Sequence, residues 1–413
     1  VEGHGGACSS PPPRGPARPA AAALRPAAKS RDGMQGLKPS SISAGMPLDA
    51  RSTATQMTAA PAGEANARAV AIWLFAVAGM IWAMVALGGA TRLTGSGLSI
   101  MEWAPLSGAL PPLSEAEWRR LYDLYRTIPQ YELVNQGFGL EGFQRIFWLE
   151  WLHRFWGRVI GLAYLLPLAW FWARGRIPAG YRLPLLGLLL LGGLQGVVGW
   201  FMVASGFEAD RTAVSPYRLV VHLGLALVLY AAILWTALSL RRPQPEALPA
   251  AARPAALRRH LQATTALLVL AMLAGGFVAG LRAGFTYNTF PLMDGRLVPE
   301  GYAALSPGWR NLTESIPSVQ FNHRALATLA TLAAIAAAVA AWRRLPPGPA
   351  RGACLALGAA TLLQYGLGVA TLLLVVPVSL GTLHQAAAVL VLTAALLALH
   401  ALRPPPVAAR PPA

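Results

Sequence analysis

The stretch FWLEWLHRFWGRVIGL, residues 147–162, places a carboxylate and an imidazole inside an otherwise apolar segment. Glu150 and His153 are three residues apart, so on a helix they share one face about one turn from each other. Ionisable side chains are costly inside a membrane, and they usually line a bundle interior or a wet cavity. The stretch therefore predicts a membrane helix that carries a functional site.

The composition of the whole chain agrees with a membrane location. Of 413 residues, 55% are hydrophobic and only 12% are charged, which indicates an integral membrane protein. The formal net charge is +17, but the basic residues lie in the N-terminal tail and in short loops. This distribution predicts membrane orientation and no nucleic-acid partner. Cys8 lies in the tail and Cys354 opens an apolar segment, so any metal site must use histidine.

Residues 1–68 are rich in Pro, Ala, Gly, Ser and Arg and show no sustained apolar period, which predicts a disordered tail. The tail is Arg-rich and poor in acids, as transit peptides are. Internal methionines such as Met57 are equally compatible with a start further along the chain, so the origin of the tail stays open.

Eight apolar segments of spanning length follow the tail. Arginines concentrate in the loops after the second, fourth and sixth segments, and acidic residues concentrate in the alternate loops. The positive-inside rule therefore predicts cytoplasmic termini in a bacterial inner membrane, with the mitochondrial inner membrane as the less favoured alternative. The predicted segments are 69–90, 150–173, 183–204, 217–240, 260–281, 320–342, 352–376 and 379–401.

The first outer loop, 91–149, is long enough to suggest a function. Ser114 and Glu117 form a capping-box pattern, and apolar residues then recur at helical spacing until Pro129. We expect an amphipathic helix that lies on the outer membrane surface or covers a site. The alternative is a helix that only packs on its neighbours.

The two halves of the chain resemble each other. His153 in the second span corresponds to His323 in the sixth, and His222 in the fourth span corresponds to His384 in the eighth. Each half has an even number of spans, so both have the same orientation, and we expect a pseudo-two-fold axis along the membrane normal. The predicted fold is thus an all-α integral membrane protein of two four-helix bundles. Its domains are 1–68 tail, 69–240 N-terminal half, 241–258 inner linker, 259–403 C-terminal half and 404–413 tail.

Each half supplies two histidines, and all four lie near the outer ends of their helices. Two imidazoles from different helices at one depth can hold a planar metal macrocycle between them, and bundle cores commonly house such groups. Zinc would need more ligands than each half offers. Heme is therefore the better fit, although a single membrane histidine is often only a packing hydrogen bonder. Two other histidines, His260 and His400, lie at inner helix ends, and we expect them to be interfacial or solvated.

Charged residues beside these histidines differ between the halves. Three residues before His153 stands Glu150, whereas three before His323 stands the neutral Gln320. A carboxylate can act as a base or stabilise a developing cation, so the first half should be the reactive one. Four arginines lie near the outer face and can reach either heme propionates or lipid headgroups. They are Arg92, Arg154, Arg282 and Arg324.

Several motifs together resemble those of the heme A synthase family of cytochrome oxidase assembly. They cover the chain from about residue 70 to 402, and outer-loop cysteine pairs that one bacterial branch carries are missing here. The motifs are GGATRLTGSGLSIMEWAPLSGALPPLSEAEW (88–118), IFWLEWLHRFWGR (146–158), TYNTFPLMDG (286–295), FNHRALA (321–327) and GTLHQAAAVL (381–390).

The resemblance implies oxidation of the C8 methyl of heme O to a formyl group, through an alcohol, to give heme A. It implies His323 and His384 as axial ligands of a resident heme b, with Arg282 and Arg324 beside it. It implies His153 and His222 as the residues that hold the substrate heme, with Arg92 and Arg154 nearby and Glu150 as the catalytic residue. The partners it suggests are membrane lipid, heme O synthase and an electron acceptor, and a homo-oligomer stays open.

Three other functions share part of this pattern. A diheme b-type electron carrier would use the same four histidines without chemistry on heme. A prenyltransferase that makes heme O would need clustered aspartates, which the sequence lacks. A transporter that works at the midplane of a repeat is disfavoured because the ionisable residues lie near the outer face.

Overall fold

The computed structural model describes residues 50–209, 211–252 and 254–404, and apart from residues 50–53 the features below lie in its compact unit Ala54–Ala413. The described residues form ten α-helices and no β-sheet. The expected tails at residues 1–49 and 405–413 lie outside this description. In chain order the helices are α1 (Ala50–Leu93), α2 (Glu115–Tyr125), α3 (Pro129–Leu133), α4 (Leu140–Ala173), α5 (Arg182–Ala204), α6 (Pro216–Arg241), α7 (Pro254–Gly280), α8 (Ile316–Arg344), α9 (Pro349–Leu373) and α10 (Val378–Ala401).

Eight of the helices in the described part of the chain are long and apolar enough to cross a membrane. They are α1, α4, α5, α6, α7, α8, α9 and α10, which confirms the predicted all-α membrane fold and its eight spans. Proline stands in the first turn of α6, α8 and α9, where its missing N–H has no intrahelical partner to lose.

Two helices begin well before the predicted spans. The first span was predicted from residue 69, but α1 is helical from Ala50, and α4 begins at Leu140 rather than at residue 150. Both extensions have polar residues among good helix formers such as Ala, Glu and Leu, so hydropathy marks only the membrane-embedded part of each helix. The predicted tail therefore loses residues 50–68 to α1.

The C-terminal helices form a closed bundle: α7 packs on α8, α8 on α9, α9 on α10, and α10 returns to α7. Its core consists mainly of small side chains, with Ala334, Ala337 and Ala341 fully buried. Small side chains let membrane helices approach closely. The bundle is accordingly tight.

The N-terminal helices are held by larger side chains. The Trp73 indole on α1 donates to the Ala163 carbonyl of α4 (2.8 Å), and the Trp156 indole of α4 donates back to the Met80 carbonyl of α1 (3.0 Å). Helices α6 and α10 pack in the same apolar core, where the Tyr230 and Thr393 hydroxyls are 2.7 Å apart. The N-terminal half therefore continues into the C-terminal half through shared packing.

The predicted amphipathic helix in the outer loop is α2. Ser114 is its N-cap and accepts a hydrogen bond from the Glu117 N–H (3.2 Å). Trp118 and the buried Tyr125 pack against Phe143 on the outer extension of α4. The predicted helix and its Ser114 N-cap are confirmed, whereas the Glu117 carboxylate accepts hydrogen bonds from Arg120. The helix is anchored to α4 rather than lying free on a surface.

The inner histidines differ from each other. His260 on α7 is exposed and contacts the Ala333 carbonyl through Nε2 (2.8 Å). His400 on α10 is only 3% exposed and lies edge-on to Trp235. The expectation of a solvated side chain is thus wrong for His400, because α6 covers the inner end of α10.

Candidate functional site

Each of the four candidate histidines lies against a glycine of the neighbouring helix. A Cβ atom built on Gly88 would be 3.1 Å from His153 Cε1, and one on Gly275 would be 3.0 Å from His323 Cε1. The same contact recurs from Gly199 to His222 and from Gly368 to His384, each at 2.8 Å. A side chain at any of these glycines would displace the ring, so the helix pairs α1–α4, α5–α6, α7–α8 and α9–α10 each form a notch that orients an imidazole.

Two glutamines hold the second histidine of each half. The Gln364 amide donates to the His384 carbonyl (2.8 Å) and lies 3.1 Å from the His384 Nδ1. The Gln195 amide donates to the His222 carbonyl (3.1 Å) and lies 3.4 Å from its ring. Sequence reasoning gave neither glutamine a role, although each stands four residues before the notch glycine of its half, Gly199 or Gly368, which was the available signal.

The Nδ1 atoms of His323, His153 and His222 differ in their hydrogen-bond partners. His323 Nδ1 lies 2.9 Å from the Ala271 carbonyl, and a donor there leaves Nε2 with a free lone pair, the form that binds iron. The Nδ1 atoms of His153 and His222 are buried, and neither has a hydrogen-bond partner among the described residues. Buried polar atoms without a protein partner are expected to bind a water or a ligand atom.

All four histidines line one cavity of about 1730 Å³. Its walls come from all eight membrane helices, and most of them are apolar. Ligand pockets typically measure about 300–1000 Å³, so this cavity has room for more than one large ligand. In the described residues no three His, Cys, Asp or Glu side chains cluster to hold a bare metal ion. A macrocycle that supplies its own equatorial nitrogens and needs only axial imidazoles therefore fits this donor set.

Glu150 also lines the cavity, and only 3% of it is exposed. Its Oε2 accepts hydrogen bonds from the Ser99 N–H (2.6 Å), the Ser99 hydroxyl (2.7 Å) and the Ile100 N–H (3.0 Å). Its Oε1 accepts from Arg154 Nε (3.1 Å) and Nη2 (2.6 Å). This donor set matches an ionised carboxylate, so Glu150 presents a fixed negative charge near His153.

Gln320 occupies the corresponding place in the C-terminal half, and it is buried as well. Its amide donates to the Ala283 carbonyl (3.0 Å) and the Thr286 carbonyl (2.6 Å). Each side chain thus fastens the outer loop that follows its half's first helix. Glu150 accepts from N–H and hydroxyl groups, whereas Gln320 donates to carbonyls.

Three of the four candidate arginines donate to backbone carbonyls. Arg154 bonds Ile100 (2.5 Å) and Glu102 (2.8 Å), and Arg324 bonds Tyr287 (2.5 Å) and Thr289 (2.9 Å). Neither contact was foreseen from the sequence. Both arginines therefore fix the loops over the cavity as well as lining it.

The other two arginines come from the ends of α1 and α7. Arg92 reaches across to the end of α7 and donates to the carbonyls of Ala279 (3.0 Å) and Gly280 (3.2 Å). Arg282 follows α7, is exposed and also lines the cavity. Arg92 thereby joins the two halves at the outer end of the cavity.

The loop over the N-terminal site is itself fastened to α2. Arg120 forms a bidentate pair with Glu102 (2.8 and 2.9 Å) and also bonds Glu117. The hydrogen bond from Arg120 lowers the pKa of Glu102 from its usual value, and it lowers the pKa of Glu117 in the same way. Helix α2 thus stabilises the loop whose N–H groups hold Glu150.

The fold and cavity define a multi-pass α-helical membrane protein whose two histidine pairs suit axial ligation of heme-type groups. A family model described as cytochrome oxidase assembly protein matches residues 71–396, most of the chain. The chain belongs to this family of cytochrome oxidase assembly proteins.

Curated relatives extend over nearly the same region. A heme A synthase of Granulibacter bethesdensis is 59% identical over 334 residues, covering 81% of this chain and 87% of that protein. A heme A synthase of Rhodospirillum centenum is 51% identical and covers 82% and 89%. A heme A synthase of Azorhizobium caulinodans is 49% identical and covers 83% and 96%. The resemblance drawn from the motifs is confirmed.

Proposed function

We propose that this protein is a heme A synthase in which the N-terminal half, 69–240, holds the substrate heme and the C-terminal half, 259–403, holds a resident heme b. The activity, an oxidoreductase reaction from heme O to heme A, is that of its relatives. The observation that supports the division is the buried charge of Glu150 in one half against the neutral Gln320 in the other.

His323 and His384 are the proposed axial ligands of heme b. Each ring is oriented by a glycine notch, a contact of Nδ1 with the Ala271 carbonyl fixes the His323 ring further, and the Gln364 amide donates to the backbone carbonyl of His384. Heme b, when bound, supplies reversible one-electron chemistry. The residues around it hold both rings rigidly and offer no ionised carboxylate beside His323, which suits electron transfer without proton chemistry.

His153 and His222 are the proposed residues that position the substrate heme. Glu150 lies one turn from His153 on the cavity wall, where its negative charge can stabilise positive charge that develops at the C8 substituent during oxidation. The five hydrogen bonds to its carboxylate hold that charge in place before the reaction. We therefore assign Glu150 an electrostatic role in preference to carrying a proton itself.

The arginines at the outer end suit the propionate groups of the two hemes. Arg282 and Arg92 line the cavity there, and Arg154 and Arg324 do so beside the first histidines. Cationic side chains at the outer end would orient each macrocycle with its carboxylates toward water. The arginine-rich inner loops further support cytoplasmic termini in a bacterial inner membrane, with heme O synthase and an electron acceptor as partners.

The test is the pigment content of the purified full-length protein. We expect acid-acetone extraction after co-expression with a heme O producer to yield heme b together with heme O or heme A. Glu150→Gln should retain heme O and accumulate no heme A. Two hemes b, with neither heme O nor heme A in any preparation, would instead identify a diheme electron carrier.

A further inference from the structure

The cavity is deeper in the N-terminal half than in the C-terminal half. On α1 it reaches Val77, eleven residues inward of the notch glycine Gly88, whereas on α7 it stops at Leu268, seven residues inward of Gly275. On α6 it reaches Ile233, eleven residues after His222. On α10 its inward limit is Val391, only seven residues after His384.

The other two helix pairs show the same offset. On α4 the lining extends to Leu165, twelve residues after His153, but on α8 it ends at Thr331, eight after His323. On α5 it begins at Leu188, seven residues before Gln195, and on α9 at Thr361, three before Gln364. All four N-terminal helices therefore line about one extra turn, or roughly 6 Å, below the level of the imidazoles.

Packing between helices closes this level in the C-terminal half. Ala334 is buried on α8, and a Cβ atom on Gly358 of α9 would lie 3.6 Å from the Ala334 carbonyl oxygen and, one turn further inward, 2.7 Å from the Ala338 Cβ. Helices α8 and α9 thus touch where the N-terminal half stays open. A substituent of a bound ligand could enter this level only if helices α8 and α9 separated.

Bulkier residues keep the corresponding N-terminal helices apart. Ile160 and Tyr164 occupy the α4 positions that match Ala330 and Ala334, and the Tyr164 hydroxyl is tied to the Leu185 carbonyl of α5 (2.9 Å). Cβ atoms built on Gly161 of α4 or Gly192 of α5 would meet nothing within 4 Å, although both residues line the cavity. We call the extra turn, lined by Val77, Tyr164, Leu165, Leu188 and Ile233, the inner extension.

We propose that the inner extension binds the isoprenoid chain of the substrate heme and makes the N-terminal half selective for a heme that carries one. The inference rests on the proposed function, because heme O differs from heme b by a long apolar isoprenoid substituent. The extension is continuous with the His153 and His222 site, and its lining is apolar apart from the hydroxyl of Tyr164, which is already bonded.

The same comparison explains why the C-terminal half would take heme b. Its cavity ends about one turn nearer the outer face, so an isoprenoid chain that fits the inner extension would meet the buried alanines of α8. The selectivity thus lies in helix packing below the hemes, while the histidines, their glycine notches and their glutamines are alike in both halves.

The test fills the mouth of the inner extension. Gly192→Leu places a side chain in open cavity, and Gly187→Leu on the same helix is the matched control, because Gly187 is equally unobstructed but does not line the cavity. Purified full-length protein that retains its resident heme is titrated with heme O and, separately, with heme b. We expect Gly192→Leu to weaken heme O binding about tenfold or more while heme b binding changes less than about threefold, and Gly187→Leu to change neither.

Equal losses for both hemes, or unchanged heme O binding, would overturn the proposal. If Gly192→Leu prevents folding, the series Gly192→Ala and Gly192→Val replaces it, and heme O affinity must then fall as the side chain grows while heme b affinity stays level. A wild-type protein that neither binds nor converts heme O would refute the proposed function. If the wild-type protein converts heme O and the Gly192 variants bind heme O equally well, only the proposal that the inner extension binds the isoprenoid chain is refuted.

Discussion

Arg154 and Glu150 form an ion pair one helical turn apart on α4, with 2.6 Å between Nη2 and Oε1 and only 4% of the Glu150 side chain exposed. Arg154 and Glu150 together bind the loop at Ser99 and Ile100 to the helix. In the other half Gln320 helps to fasten the corresponding loop as an uncharged amide. Fastening a loop does not demand a charge, so the charge of Glu150 is the feature that sets the N-terminal half apart.

Glu150→Gln should therefore separate chemistry from folding. An amide keeps the size of the side chain but puts an N–H₂ group among donors from Ser99, Ile100 and Arg154. We expect production of heme A to fall about 100-fold or more, because a preorganised charge is lost. The stability of the protein should fall by about 1–3 kcal/mol. Heme analysis and thermal unfolding measure the two effects on one preparation.

Gln320→Glu is the matched control. It places a carboxylate opposite the carbonyls of Ala283 and Thr286, so we expect lower stability with heme O oxidation reduced far less than in Glu150→Gln. Full heme A production by Glu150→Gln would remove Glu150 from the reaction.

The notch glycines should control heme content one half at a time. Gly368→Ala puts a methyl group 2.8 Å from His384 Cε1, so we expect loss of the resident heme b, with a cost of about 1–3 kcal/mol for the displaced ring. Gly199→Ala should instead lower heme O binding in the N-terminal half. The measurement is the ratio of each heme to protein after extraction.

Gly79→Ala on α1 is the control for these variants, because a Cβ atom there meets nothing within 4 Å. It should retain both hemes. Normal heme content in Gly368→Ala and Gly199→Ala would show that the notches do not orient the histidines.

Loss of a proposed iron ligand should be visible in the pigment spectrum. His384→Ala removes one of two axial imidazoles, so we expect the C-terminal half to lose its heme b and its low-spin absorption bands. The control is His260→Ala, at an exposed histidine on the inner end of α7. An unchanged heme b spectrum in His384→Ala would show that His384 is not a ligand of the resident heme.

The sequence predicted what depends on local pattern. The eight spans follow from the length of the apolar runs, and α2 follows from the Ser114 and Glu117 capping box, whose hydrogen bond the structure contains. The halves repeat the four histidines at matching positions, and all four line one cavity, while their pairing around two hemes stays a prediction. Each of these features is encoded within a few turns of chain.

The features that were missed depend on contacts between distant segments. Nothing in the spacing of Gly199 shows that its missing side chain makes room for the ring of His222. The arginines were expected at propionates or headgroups, whereas Arg92 bonds a helix end 187 residues away along the chain. The depth of the cavity was equally hidden, because Ala330 and Ile160 are both ordinary residues for a membrane helix.

The outer loop should weaken at low pH through Glu102. Arg120 holds the pKa of Glu102 below its usual 4.5, so the pair stabilises the folded protein above that pH, and the contribution is lost as the pH falls through the lower folded pKa. Both side chains are more than 40% exposed, so solvent screening limits the contribution to about 0–1 kcal/mol. Arg120→Gln should therefore lower the thermal stability slightly at neutral pH, and the difference from wild type should disappear in acid.

Arg119→Gln is the control, because among the described residues the salt bridge of Arg119 is to Glu115 on the same helix and not to the loop. An equal effect of both variants, or a difference for Arg120→Gln that grows as the pH falls, would contradict a link between α2 and the loop that holds Glu150.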